Sequence, residues 1–272
     1  MRTRARAVKL LTVAAVVFAV SSSSGCTRLT ARVTTVNGRD VELVTAGAGE
    51  RTVVFESGLG SDWRVWDATA VEVARSTRVF AYSRPGAGRS APATTRRDAS
   101  TIVEELRALL AAEGYRPPYV LVGHSFGGTY MELFARAHPD EVTGLVLVDA
   151  RPADFLSECE ARHLDGCGIS ASAAKSLARV EQEELAAFAE ASSQLRAAGG
   201  FGRVPVRVLT ATAHSGSEAW EALWRSMHAA IADEADDGEQ IVFEGVGHHL
   251  ELERTADVAR IILERVEARE AR

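Results

Sequence analysis

A serine lies between two glycines in the segment YVLVGHSFGGT, which occupies residues 119–129. Four apolar residues lead into Gly123, Ser125 and Gly127, and a helix-forming run follows over residues 130–137. A serine on a tight turn between a strand and a helix exposes its hydroxyl, and glycine two positions to either side lets the strand and the helix approach closely. The spacing therefore predicts that Ser125 is a nucleophile. The alternative is that Ser125 only caps the following helix.

With four further blocks, this segment resembles the serine α/β-hydrolase superfamily. The likeness extends over roughly residues 50 to 270 in a region large enough for one α/β domain, and its blocks lie around Gly58, Pro85, Ser125, Asp149 and His248. The resemblance implies the α/β class and the α/β-hydrolase fold. We therefore expect a mostly parallel sheet flanked by helices, with an inserted helical cap over the active site.

The order of strand and helix patterns divides the chain into four parts. We expect a signal peptide in residues 1–25, the first part of the core in 26–150, the cap in 151–203 and the second part of the core in 204–272. Apolar strands separated by helices indicate a parallel sheet covered on both faces. Alternating residues around Asn37-Gly38 predict a hairpin at an antiparallel edge. Residues 171–198 indicate one long helical run within the cap.

A serine hydroxyl needs a neighbouring base, and the base needs a carboxylate that fixes its tautomer. The superfamily places the base after the last strand, where Gly-Val-Gly is followed by His248 and His249. The resemblance assigns His248, with His249 as the alternative. We expect His124 to pack behind the serine turn, and we interpret the remaining histidines as surface or packing residues: His138, His163, His214 and His228.

The acid is the least determined member of this set. Most relatives carry it after the strand that ends here at Thr210, but the first carboxylate beyond that strand is Glu218, eight residues later. Some relatives use the end of the preceding strand instead, where this chain has Asp149. We predict Asp149, and Glu218 stays the alternative.

The resemblance also implies an oxyanion hole made of backbone N–H groups. Its two donors would be Leu59, in the loop after the predicted strand 52–55, and Phe126, the residue after the nucleophile. The chain departs from the usual pattern at Glu56, which precedes this loop, and at Ser83, which replaces the aspartate of the superfamily's proline-glycine turn.

The first 26 residues have the features of an export signal. Four basic residues precede the apolar run 10–20, which is too short to span a bilayer but suits a signal-peptide core. The sequence Ser-Ser-Ser-Ser-Gly-Cys26 then resembles a bacterial lipoprotein processing site. We expect an exported protein, anchored to the cell membrane through lipid on Cys26. The alternative is plain secretion with Cys26 left free.

Charge excludes one class of partner. Removal of residues 1–25 would take away four basic residues and no acid, which changes the formal charge from −6 to −10. Such an acidic domain lacks the positive surface that nucleic acid requires. We expect no nucleic-acid partner.

Two cysteines, Cys159 and Cys167, have seven residues between them. In an exported protein this pair predicts a local disulfide. The competing possibility is a zinc site that also uses His163 and Asp165, although structural zinc sites usually contain more closely spaced cysteine pairs.

The combined prediction is a serine hydrolase that cleaves an ester or similar acyl bond of a small-molecule substrate through an acyl-enzyme on Ser125. No metal, nucleotide or redox cofactor is expected. Haloalkane dehalogenases and most epoxide hydrolases of this fold carry aspartate at this turn, so Ser125 argues against both. The same residues could hydrolyse peptide, thioester or carbon–carbon bonds, and a catalytically silent ligand-binding protein is the alternative from another class.

Overall fold

The computed structural model describes residues 29–267. The predicted signal peptide in residues 1–25 and the predicted lipidation site Cys26 lie outside the described residues, so export and anchoring stay predictions. Within residues 29–267, no helix is both long and apolar enough to cross a membrane.

Eight strands of the described chain form one sheet. They are β1 (Ala31–Val36), β2 (Arg39–Ala46), β3 (Thr52–Glu56), β4 (Arg78–Tyr82), β5 (Tyr119–His124), β6 (Val142–Val148), β7 (Val206–Ala211) and β8 (Gly238–Phe243). Their order across the sheet is β1-β2-β4-β3-β5-β6-β7-β8. The β1–β2 and β2–β4 pairs are antiparallel, and every other pair is parallel. The predicted hairpin is confirmed, because Asn37 and Gly38 join β1 to β2 with positive φ angles.

The helices cover both faces of the sheet. They are α1 (Asp67–Val73), α2 (Ala99–Ala112), α3 (Phe126–Ala137), α4 (Phe155–Ala161), α5 (Ala171–Ser176), α6 (Arg179–Ala187), α7 (Ala191–Ala198), α8 (Glu218–Asp233), α9 (Leu250–Glu253) and α10 (Thr255–Glu267). On one face, α2 and α3 bury Leu106 and Phe134 against the strands. On the other face, α1 and α10 bury Val73 and Ile262. Every residue of β3, β5, β6 and β7 is consequently buried, which explains why their sequences are mostly apolar.

Helices α4 to α7 lie between β6 and β7, in the stretch predicted to form a cap. The prediction of one long helical run over residues 171–198 is wrong, because three helices and a short 3₁₀ turn at Phe188–Glu190 occupy it. The first break falls at Leu177 and Ala178, whose backbones are extended. The carboxylate of Glu181 accepts the N–H of Ala178 at 2.9 Å, so a new helix starts there with its own cap.

Candidate active site

Ser125 occupies the turn between β5 and α3 with φ of 53° and ψ of −123°. Positive φ is rare for a residue with a side chain, so the surrounding structure must hold this turn in place. The two flanking glycines, Gly123 and Gly127, let neighbouring backbone segments approach the turn closely. A side chain at Gly123 would collide with the backbone of Gly127, and a side chain at Gly127 would collide with the carbonyl oxygen of Ser57.

The structure brings three of the predicted site residues into one hydrogen-bonded chain. Nε2 of His248 lies 3.0 Å from Oγ of Ser125, and Nδ1 of His248 lies 2.6 Å from Oδ2 of Asp149. Because an ionised carboxylate only accepts, Nδ1 carries a proton, and the lone pair of Nε2 then faces the serine hydroxyl. This arrangement allows the imidazole to take a proton from the hydroxyl.

Asp149 follows β6, and its carboxylate is fully buried. Oδ1 accepts hydrogen bonds from the backbone N–H of Ala211 at 3.0 Å and from Nε1 of Trp224 at 2.9 Å. Oδ2 accepts from both His248 and His214, each at 2.6 Å. Burial alone would raise the pKa of Asp149, but the hydrogen bonds from the two histidines hold that pKa well below its ordinary value. The carboxylate therefore stays ionised.

His214 is the site residue that the sequence prediction missed. Its side chain is only 7% exposed and lies between two carboxylates, with Nε2 at 2.6 Å from Asp149 and Nδ1 at 2.8 Å from Glu221. Burial opposes a charge here, but the hydrogen bonds to Asp149 and Glu221 outweigh it and raise the pKa of His214. The available signal was its position in the loop directly after β7, where most relatives carry their acid.

Glu218, the alternative acid, is exposed at the start of α8. Nothing in its placement connects it to His248. The acid that the structure brings to the histidine is Asp149, from the end of β6.

The other histidines near the turn have different partners. Nδ1 of His249 lies 2.8 Å from Oε1 of Glu251, whereas His124 is buried with Nε2 3.0 Å from the backbone oxygen of His248. The burial of His124 agrees with the packing role predicted for it, although the residue also lines the cavity at Ser125. Burial lowers the pKa of His124 to about 4. His124 is therefore neutral and supports the backbone of His248.

Leu59 and Phe126, whose N–H groups are predicted to form an oxyanion hole, line the same cavity as Ser125. Phe126 is the first residue of α3, where an N–H has no acceptor within the helix. Among residues 29–267, no acceptor takes the N–H of Phe126 or of Leu59. A Cβ added at Gly58 would lie 3.2 Å from Cβ of Ser125, so the loop passes directly beside the serine. Both N–H groups are thus without an acceptor among the described residues.

A buried arginine holds this loop from behind. Arg84 donates to the carbonyl oxygens of Ser57 at 2.5 Å and Gly58 at 2.8 Å. It also pairs with Glu56 at 2.6 Å and with Glu184 of α6 at 2.9 Å. The unusual Glu56 therefore has a clear role, because it neutralises the guanidinium that fixes the loop.

The unusual Ser83 is explained by a carboxylate from another strand. Its hydroxyl donates to Glu42 of β2 at 3.1 Å, and the same carboxylate accepts the backbone N–H of Arg89 at 2.9 Å. Glu42 thus supplies, from β2, the carboxylate that an aspartate at position 83 would bring to this turn.

The hydroxyl of Ser125 opens onto a cavity of about 280 Å³, slightly below the usual range of small-molecule sites. Its lining residues in the described chain are Gly58, Leu59, Ser61, His124, Ser125, Phe126, Arg151, Ile169, Leu177, Trp224, His248 and His249. The cap contributes Ile169 and Leu177, and it also places Phe188 on Phe126 with ring centroids 4.1 Å apart. The cavity is therefore mostly apolar and closed on one side by the cap.

Two groups of side chains within residues 29–267 have metal-type ligand atoms close together. One consists of Asp149, His214 and His248, and the other of His124, His249 and Glu251. The first group is fully engaged in the hydrogen bonds described above, and the second contains the His249–Glu251 ion pair. Neither group needs an ion to explain its geometry, and the absence of a cofactor stays a prediction.

Cys159 and Cys167 form the predicted disulfide. A disulfide sulfur has no thiolate to offer a metal, so the alternative zinc site at this loop is wrong. The closed loop presents the backbone oxygens of Gly166 to Trp220 and of Cys167 to Arg151.

Comparisons with known proteins agree with the fold. Residues 51–163 match the family model described as the alpha/beta hydrolase fold. The chain is 27% identical to the protein YqjL of Bacillus subtilis (strain 168) over 194 residues, which cover 68% of this chain and 71% of YqjL. It is 33% identical over 103 residues to a putative carbamate hydrolase, RutD, of Yersinia enterocolitica, and this match covers 38% of the chain and 37% of RutD.

Among solved structures, the epoxide hydrolase CorEH superimposes with a TM-score of 0.68 at 19% identity, and the match covers 89% of this chain and 99% of CorEH. These findings and the sheet order confirm the α/β-hydrolase fold, and the match over residues 51–163 agrees with the predicted resemblance to that superfamily.

Proposed function

We propose that this protein is a serine hydrolase that cleaves carboxylic esters, with Ser125 as nucleophile, His248 as base and Asp149 as acid. The observation that carries the proposal is the continuous contact from Ser125 Oγ to His248 Nε2, at 3.0 Å, and from His248 Nδ1 to Asp149, at 2.6 Å. The proton positions that these contacts require are those of an activated serine.

In the proposed reaction, Oγ of Ser125 bonds to the ester carbonyl carbon while its proton passes to Nε2 of His248. The carbonyl oxygen becomes an oxyanion, which the N–H groups of Leu59 and Phe126 stabilise. The carbon–oxygen bond to the leaving group then breaks, and His248 returns the proton to the departing alcohol. Water attacks the acyl-enzyme in the same way, so the products are one alcohol and one carboxylic acid.

Serine at the turn favours acyl transfer over the chemistry named for some of the matched proteins. An epoxide hydrolase with an aspartate nucleophile needs a carboxylate at this position, and this chain has Ser125. The putative carbamate hydrolase among the relatives suggests that carbamates belong in the substrate screen beside esters of different acyl length.

Labelling with a fluorophosphonate tests the proposal, because such reagents react with an activated serine. We expect labelling of the wild-type protein and none of Ser125→Ala. The matched control is Ser226→Ala, which removes an exposed hydroxyl on α8 and should label like the wild type. Equal labelling of the Ser125→Ala protein would refute the assignment of the nucleophile.

We also propose that the protein is exported and anchored through Cys26. The Cys159–Cys167 disulfide supports an oxidising compartment. In a bacterial host, the full chain should sediment with membranes and the Cys26→Ala variant should not. Mass spectrometry of the N-terminal peptide would show the lipid, and an unmodified Cys26 in membrane-bound protein would contradict the anchor.

A further inference from the structure

Arg151 is anchored beside the proposed nucleophile by its own backbone. Its N–H donates to the carbonyl oxygen of Ser125 at 3.0 Å, and its carbonyl oxygen accepts the hydroxyl of Thr129 at 2.5 Å. Arg151 also follows Asp149 by only two residues. The base of this side chain is therefore fixed relative to the reacting groups.

Arg151 lines the cavity and has no acidic partner. No carboxylate of residues 29–267 forms an ion pair with it, and its Nη2 donates a hydrogen bond to the backbone oxygen of Cys167 at 3.0 Å. Its charged carbon lies 5.9 Å from the ring centre of Phe126 and 5.4 Å from that of Phe155. Four further N–H donors of the guanidinium remain for a ligand.

The fully buried Arg84 and Arg97 are neutralised by carboxylates. Arg84 pairs with Glu56 and Glu184, and Arg97 pairs with Glu105. Arg151 is half-buried and has no such partner, and burial lowers its pKa to about 10. A cation in an apolar wall is costly unless it meets an opposite charge.

The cavity itself offers no such charge. Its lining residues in the described chain include histidines and apolar side chains but no carboxylate. They also include no lysine and no arginine other than Arg151. A single guanidinium matches a singly charged carboxylate through two parallel hydrogen bonds, whereas a phosphate dianion would call for further cations.

We propose that Arg151 is a specificity residue that binds a carboxylate carried by the substrate at a position remote from the cleaved ester. The proposal rests on the proposed function, because it assigns the class of ester that Ser125 cleaves. The substrate class is thus a small ester with a free carboxylate, either on the acyl side or on the alcohol side.

Matched substrate pairs test this proposal. On the acyl side, mono-4-nitrophenyl adipate carries the carboxylate and methyl 4-nitrophenyl adipate lacks it. On the alcohol side, 4-acetoxybenzoate is compared with its methyl ester. For each pair, the ratio of kcat/KM for the charged ester to kcat/KM for the neutral ester is measured, after subtraction of the rate seen with Ser125→Ala.

In at least one pair, we expect Arg151→Gln to lower this ratio by about 10- to 100-fold, the size of effect that loss of a hydrogen-bonded charge produces. The control Arg162→Gln removes an exposed arginine at the end of α4 and should leave both ratios unchanged. Ratios that are the same in the wild type and in Arg151→Gln for both pairs would overturn the proposal.

A binding measurement tests the carboxylate site independently of ester hydrolysis. It uses a variant that lacks the nucleophile but retains Arg151. Calorimetric titration of the Ser125→Ala protein should give at least tenfold tighter binding of monomethyl adipate than of dimethyl adipate, or of benzoate than of methyl benzoate. Equal affinities within both pairs would overturn the carboxylate site. Failure of the wild type to hydrolyse any ester, with the binding preference intact, would instead refute the proposed function.

Discussion

Oδ2 of Asp149 lies as close to Nε2 of His214 as to Nδ1 of His248, 2.6 Å in both cases. Nδ1 of His214 faces a second carboxylate, that of Glu221, at 2.8 Å. Because carboxylates accept hydrogen bonds, this geometry favours a proton on both nitrogens of His214, in agreement with the raised pKa of its ring. The charge of Asp149 is therefore shared between two histidines.

We predict that His214→Gln shifts the acid side of the pH profile of kcat/KM to higher pH. The positive ring of His214 disfavours a second positive charge on His248, whose ring centre is 5.8 Å away. The measurement is kcat/KM between pH 5 and 8, with His163→Gln, at an exposed position, as control.

Glu221→Gln should shift the profile in the same direction by a smaller amount, because it removes the charge that stabilises protonated His214. The double variant His214→Gln/Glu221→Gln should match His214→Gln alone, since Glu221 acts through His214. If the pH profile of kcat/KM is unchanged in both single variants, His214 has only a packing role.

The acid is tested by two amide variants. We expect Asp149→Asn to reduce kcat by about 10⁴-fold, the loss seen when an amide favours the wrong histidine tautomer in a related triad. Glu218→Gln should stay within about twofold, because Glu218 is exposed. Steady-state kinetics decide between them, on samples whose circular dichroism is native. A large loss of activity in Glu218→Gln would identify Glu218, after β7, as the acid.

Alanine substitutions distinguish the roles of the neighbouring His248 and His249. His248→Ala should be inactive, because no other imidazole lies within hydrogen-bonding distance of Ser125 in the described structure. His249→Ala should keep substantial activity, since its Nδ1 pairs with Glu251. Ester hydrolysis and fluorophosphonate labelling report both effects. Activity in His248→Ala but not in His249→Ala would show that His249, and not His248, is the base.

Stability should fall on mild acidification because of His124. Its pKa is held at about 4 in the folded protein, below the ordinary value of 6.5, so the unfolded chain binds a proton more readily. This contribution is complete above pH 6.5 and is lost as the pH falls toward 4. Between pH 7.5 and 5.0, the wild type should lose about 2 kcal/mol more unfolding free energy than His124→Gln.

Urea unfolding at the two pH values measures this difference, and acidic groups common to both proteins cancel in the comparison. The control His163→Gln, at an exposed position, should follow the wild type. An equal loss in the wild type and in His124→Gln would mean that His124 is protonated in the folded protein.

Much of the fold was accessible from sequence because its signals are local. Continuous apolar strands, the Asn37-Gly38 turn and the spacing around Ser125 each depend on a few adjacent residues. The order of the blocks also placed Asp149 and His248 at strand ends that meet at one edge of the sheet. Parallel strands bring their carboxyl ends together, so these side chains could be expected to meet.

The features that the sequence did not predict are contacts between charged residues that lie far apart in the sequence. His214 contacts Asp149 across 65 positions, and Arg84 contacts Glu184 across 100. Single charged residues are usually exposed, so a sequence gives no reason to expect them in the interior. The break at Leu177 was equally hidden, because neither glycine nor proline marks it.

Arg84 gives the cap and the loop that follows β3 a shared support. The same guanidinium holds Glu184 of α6 and the carbonyl oxygens of Ser57 and Gly58. Removing Glu184 would leave a buried cation with one carboxylate instead of two, so the loop would lose part of what aligns it. The cap is consequently not an interchangeable module. A chimera that grafts another protein's cap onto this core should retain activity only if the graft supplies an acid where Glu184 stands.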